Sequence, residues 1–76
     1  MKELLEFIAK NLVDSPDEVS VNEVVSERST ILELKVSDDD MGKVIGKQGR
    51  IAKAIRTVLK AAAMRGDKRI VVEIMK

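Results

Sequence analysis

The chain has 76 residues, with no Cys and no His. That is enough for one domain, and it excludes disulfides and a structural zinc site of the usual Cys/His kind. The formal charge of +1 hides a division: residues 1–40 carry four basic residues against eleven acids, and residues 41–76 carry ten against two. Either one half meets a polyanion, or the two halves neutralise each other within the molecule. A core this small supplies about 3–5 kcal/mol of net stability. Well-formed elements, oligomerisation or both must therefore carry the fold.

Leu4, Leu5, Ile8, Leu12 and Val13 recur at helical spacing, with Glu3, Glu6 and Lys10 between them. They predict an amphipathic helix over residues 2–13, with Phe7, the only aromatic residue, at the edge of its apolar stripe. Asp14-Ser15-Pro16-Asp17 ends it, because Pro cannot continue a helix and restricts its predecessor. Val19, Val21 and Val25 alternate with polar residues as a half-buried strand does. Ser26-Glu27-Arg28-Ser29 reads as a hairpin loop, and Leu32, Leu34 and Val36 mark a second strand.

Asp38-Asp39-Asp40 then has two readings, a metal site or a helix start. No other acid is spaced to complete a cation cage. The expectation is therefore a helix start, with an Asp as N-cap and acids in the first turn, where the helix dipole favours them. A short helix follows through Met41, Val44 and Ile45, then a glycine loop, then a long helix from Gly49 to Arg65. Gly66-Asp67 is a helix stop, and Ile70, Val72 and Ile74 mark a final strand. The predicted order is α-β-β-α-α-β.

At about 100° per residue, the long helix has two faces. Ile51, Ile55, Val58, Leu59 and Ala62 share one arc and should pack on the sheet. Arg50, Lys53, Arg56 and Lys60 share the opposite arc and continue the basic character of Lys43 and Lys47. There is no acid between Met41 and Gly66, so none of these cations can form an i,i+4 pair within the helix.

The loop is Gly46-Lys47-Gln48-Gly49. A glycine pair this close lets the backbone turn sharply and approach another backbone. At a helix start it leaves free N–H groups and a positive helix end, which suit a phosphate. The segment is not a P-loop: three residues separate Gly42 from Gly46, and Gln48 stands where Ser or Thr is needed. Catalysis is not expected, since there is no His, Cys, Tyr or Trp and the loop has no carboxylate to act as a base. With Phe7 as the sole aromatic, a stacking platform on the sheet is closed. Bases would instead lie in an apolar groove formed by Val44 and Ile45 with Leu32 or Leu34. The N-terminal Met1-Lys2-Glu3-Leu4-Leu5-Glu6 carries acids where a signal peptide needs an apolar run. No stretch approaches the ~20 apolar residues of a membrane span. A soluble cytoplasmic protein is expected.

Val44-Ile45-Gly46-Lys47-Gln48-Gly49-Arg50-Ile51 resembles the signature of the K-homology (KH) domain: two apolar residues, Gly-x-x-Gly, then an apolar residue. The element order resembles the type II, bacterial form of that fold, an α+β arrangement with a three-stranded sheet and helices on one face. The resemblance extends over residues 1–76 as a single KH domain, and it is similar to the KhpA family of small bacterial single-KH proteins. It implies single-stranded RNA binding, with an RNA chaperone or post-transcriptional role affecting cell division and envelope growth. It also implies a homodimer and a heteromeric partner in a larger Jag-type KH protein; no cofactor and no membrane are expected. Gly46 and Gly49 would allow close backbone approach while Lys47 and Gln48 face phosphates. Lys43, Val44, Ile45, Arg50 and Lys53 complete the expected RNA-binding set. Two alternatives stay open. One is a KH-fold dimerisation or protein-interaction module with little RNA affinity; the other is single-stranded DNA as the ligand, since no residue identifies a 2′-OH contact.

Overall fold

The computed structural model describes residues 1–63 and 68–75. The elements are α1 (Lys2–Leu12), β1 (Ser20–Val25), β2 (Ser29–Lys35), α2 (Met41–Ile45), α3 (Arg50–Ala62) and β3 (Arg69–Met75), in the expected order. Short 3-10 turns over Pro16–Glu18, Asp38–Asp40 and Lys47–Gly49 join them. The expected stop at Gly66-Asp67, and the helix beyond Ala63, lie outside the described residues.

The sheet order is β1-β2-β3. β1 and β2 form an antiparallel hairpin, with Val21 opposite Leu34 and Val25 opposite Thr30. β2 and β3 run parallel, with Leu32 opposite Val72 and Leu34 opposite Ile74. A parallel pair needs a long crossover, and α2 and α3 provide it. The three helices cover one face of this mixed sheet, so alternate residues of each strand enter the core. Leu5 and Ala9 of α1, Leu32 and Leu34 of β2, Val44 of α2 and Leu59 of α3 are its fully buried members. The opposite sheet face carries Val24, Ile31 and Val71 in one row and Asn22, Glu33 and Glu73 in the next.

Three side-chain expectations change. Val25 lies on the core face of β1 but is 57% exposed, because the hairpin end runs past the helices. On α3 the buried stripe is Ala52, Ile55 and Leu59, so the packed face is turned towards the small Ala52. Val58 and Ala62, expected to be buried, are exposed. Small side chains let α3 approach the sheet closely, and the larger Val58 is left to a second surface described below. On α1, Ala9 takes the core position while Leu12 is left half-exposed.

Candidate nucleic-acid interface

α2 ends where Gly46 takes φ +76° and ψ 173°, a conformation open essentially to glycine alone. The Gly46 N–H donates to the Gly42 carbonyl at 2.8 Å, closing the helix, and the Gly49 N–H donates to the Gly46 carbonyl at 3.1 Å. Gly49 has φ +75° and ψ 14°, in the left-handed region. Gln48 between them also has positive φ, at +58°. The backbone therefore turns twice within four residues and delivers the chain to the first turn of α3.

The two glycines are needed for different reasons. A Cβ on Gly46 would stand 2.5 Å from Ile51 Cγ1, so Ile51 packs directly on the Gly46 backbone. This explains the apolar residue two places beyond the loop. A Cβ on Gly49 would meet nothing within 4 Å, so only its dihedral angles require glycine. The left-handed Gln48 is the loop feature the sequence did not signal; a polar residue between two glycines was its only trace.

No side chain caps the start of α3. The Arg50 N–H donates to the Lys47 carbonyl, and the N–H groups that follow in the first turn of α3 lie among Lys47, Gln48 and Arg50, all exposed. An Arg50 Nη–H donates to Gln48 Oε1 at 3.5 Å across the loop mouth. Lys53, Arg56 and Lys60 continue outward along α3, all exposed as expected. Among the described residues, none of Lys47, Arg50, Lys53, Arg56 or Lys60 forms an ion pair. The acidic half does not neutralise this face.

Lys43 behaves differently from the rest of the expected set. Its Nζ lies 2.6 Å from Asp14 Oδ2 and 3.4 Å from Asp40 Oδ1. Among the described residues it is the one cation through which the acidic half pairs with the start of the basic half. The Asp14 hydrogen bond holds the Lys43 ammonium above its ordinary value, aided by Asp40 and opposed by burial.

Asp40 also departs from its expected role. It stands at the α2 N-cap position, yet its carboxylate caps nothing in that helix. It is 1% exposed and accepts from the backbone N–H groups of Asp14 and Ser15, at 3.2 and 3.0 Å, and from the Ser37 hydroxyl at 3.0 Å. The carboxylate thus ties the end of α1 to the start of α2. Burial pushes its pKa up, but these two N–H donors, Ser37 and Lys43 outweigh that and hold it below the ordinary carboxylate value.

The groove expected from Val44, Ile45, Leu32 and Leu34 does not form. Val44, Leu32 and Leu34 have no exposed surface, and only Ile45 reaches solvent. Val44 supports the loop from beneath; its side chain is core. The apolar groove lies elsewhere, between α1 and α3, with a volume of about 500 Å³. Leu4, Phe7 and Leu12 line one wall, and Ile51, Ala54 and Val58 the other, with Arg50 at its rim. Phe7, expected at the edge of the stripe, is 67% exposed there.

Residues 2–74 match the family model described as KhpA/KhpB, KH domain. The chain belongs to this family. It is 73% identical over 75 residues to the RNA-binding protein KhpA of Clostridium acetobutylicum, covering 99% of this chain and 100% of that one. The corresponding protein of Clostridium perfringens is 72% identical over the same shares. That of Aquifex aeolicus is 48% identical, over 99% of this chain and 95% of its own. The mixed three-stranded sheet with three helices is the type II KH arrangement. No described helix is long and apolar enough to cross a membrane.

Proposed function

We propose that this chain is a non-catalytic, cytoplasmic, single-stranded RNA-binding protein, acting as one KH domain over residues 1–76. The observation that carries the reading is the Gly46–Gly49 turn, which opens onto an uncapped helix start among cations with no acid partner. Phosphates sit against the loop backbone and the first turn of α3, contacted by Lys47, Gln48, Arg50 and Lys53. Ile45 flanks the loop, Val44 holds it from below, and Lys43 braces α2 through Asp14 and Asp40. The names of the relatives favour RNA over single-stranded DNA. Such a binder acts as an RNA chaperone or post-transcriptional regulator.

A lone KH domain clamps about four nucleotides, so two linked loops bind better than one. The apolar α1/α3 groove, lined by the exposed Phe7, Leu12 and Val58, offers a surface on which a homodimer could form. The same surface suits a larger Jag-type KH protein as heteromeric partner. It also favours the second reading, a KH-fold dimerisation module with little RNA affinity.

Fluorescence anisotropy with labelled single-stranded RNA separates the two. The native chain is expected to bind with a log–log salt slope of about −2 to −3, for three or four phosphate contacts. A Lys47→Asp, Gln48→Asp double variant, folded by circular dichroism, is expected to lose binding. Equal binding by both would remove the loop from the site. Binding by neither, even at low salt, leaves the dimerisation module.

A further inference from the structure

β3 is an edge strand, and its free edge lies beside α3. The Arg69 N–H donates to the Arg28 carbonyl at 2.9 Å, so the main chain of Arg69 turns towards β2. By strand alternation, the N–H and C=O groups of Ile70, Val72 and Ile74 turn outward. One of these is engaged: Arg56 Nε–H donates to the Val72 carbonyl at 3.4 Å. Among the described residues the Arg56 guanidinium has no other hydrogen bond and no ion pair.

This contact, long for a hydrogen bond, orients a side chain that is otherwise exposed. A guanidinium held through Nε still offers its two Nη groups as a rigid fork. Arg56 is seven residues beyond Gly49, about 10 Å along the helix axis. Helical side chains lean towards the N-terminus, which brings the fork closer to the glycine loop. A strand clamped at the loop and continuing along α3 would bring a base to this fork. Its neighbour on the same face, Lys53, has no such tether and offers only a mobile point charge.

We infer that Arg56 is a base-reading residue that selects guanine at one position of the bound strand. Guanine presents two adjacent acceptors, O6 and N7, which match the fork; adenine places a donor beside its N7, and cytosine presents a donor. The inference rests on the RNA-binding reading above. It adds sequence preference to a grip that the loop alone would make indifferent to sequence.

The test is anisotropy with octa-adenylate, the same strand carrying one central guanosine, and the guanosine strand with 7-deazaguanosine substituted. The native chain is expected to prefer guanosine by about fivefold or more, and to lose that preference with the 7-deaza base. Arg56→Met should bind all three strands alike, with circular dichroism confirming the fold. Lys53→Met should weaken every strand equally and keep the preference. Native binding without a guanosine preference, a 7-deaza strand bound as well as guanosine, or a preference surviving in Arg56→Met would overturn the assignment while leaving the loop site intact. Absence of native binding to any strand would overturn the site and this assignment together.

Discussion

Asp40 and the Gly46–Gly49 turn stand at opposite ends of the five-residue α2 and treat charge in opposite ways. At the Asp40 end, a buried carboxylate has four partners, two of them backbone N–H groups from 25 and 26 residues away. At the glycine end, the cations have no acid and the helix start has no cap. One end spends its polar groups on holding α1 and α2 together; the other leaves them available. A short helix rigidly held at one end is a firm mount for a loop whose polar groups stay free at the other. The +1 total of the sequence reports neither arrangement.

The largest effect should come from breaking the anchored end. Asp40→Ala leaves the part-buried Asp14 and Ser15 N–H groups facing an apolar methyl, while Lys43 keeps Asp14; donors buried without partners are costly. Thermal melting should show the greatest loss of stability here, while RNA affinity measured well below the melting point stays close to native. The pH dependence sharpens this. The folded pKa of Asp40 lies below its ordinary value of 3.8. Its stabilisation is therefore present above that value and lost as pH falls through the folded one. Lys43, raised above 10.5, contributes below that value and loses its contribution as pH rises through the higher folded one. The native chain should lose stability on the acid side below pH 3.8, and Asp40→Ala should lack that step. An acid limb unchanged in the variant would remove Asp40 from this role.

The second contrast is between the two glycines, which share nearly the same φ. Gly46→Ala meets both a forbidden backbone region, costing about 1–3 kcal/mol, and the Ile51 side chain at 2.5 Å. Gly49→Ala meets only the left-handed penalty of about 1–2 kcal/mol. In a domain of this size each kcal/mol moves the melting temperature by about 4–8 °C. Gly46→Ala should therefore melt lower than Gly49→Ala and also displace Ile51, visible in its methyl NMR shifts. Equal melting temperatures would mean that Ile51 yields freely.

Element order was legible in the sequence because the periodicities are clean: alternation at Leu32, Leu34 and Val36, and helical spacing at Leu5, Ile8, Ile55 and Leu59. The glycine loop was legible because only two residues separate its glycines. Other features depend on distance in space. Asp40 looked like a helix cap because its partners, Asp14 and Ser15, are far away in sequence. Lys43 looked like a free cation for the same reason. Val58 and Leu12 looked like core because apolar periodicity cannot separate two apolar surfaces on one helix, and here α1 and α3 build a groove as well as a core. The proposed base groove failed because Val44, Leu32 and Leu34 are needed to fill the interior of a 76-residue chain.

The smallest effect concerns how far the binding surface extends along α3. Lys53 lies one turn from the loop, whereas Lys60 begins about 15 Å along the axis from Arg50. Both are exposed and neither is ion-paired among the described residues, so burial and pairing do not distinguish them. Reach does: a phosphate seated at the first turn of α3 is within range of Lys53 and not of Lys60. Lys53→Met should make the salt slope shallower by about 0.7, the value of one phosphate contact on a single strand. Lys60→Met should leave the slope unchanged, and neither should move the melting temperature appreciably. An equal loss from both would mean that the strand follows the whole basic face, with the glycine loop acting as its first contact and not its boundary.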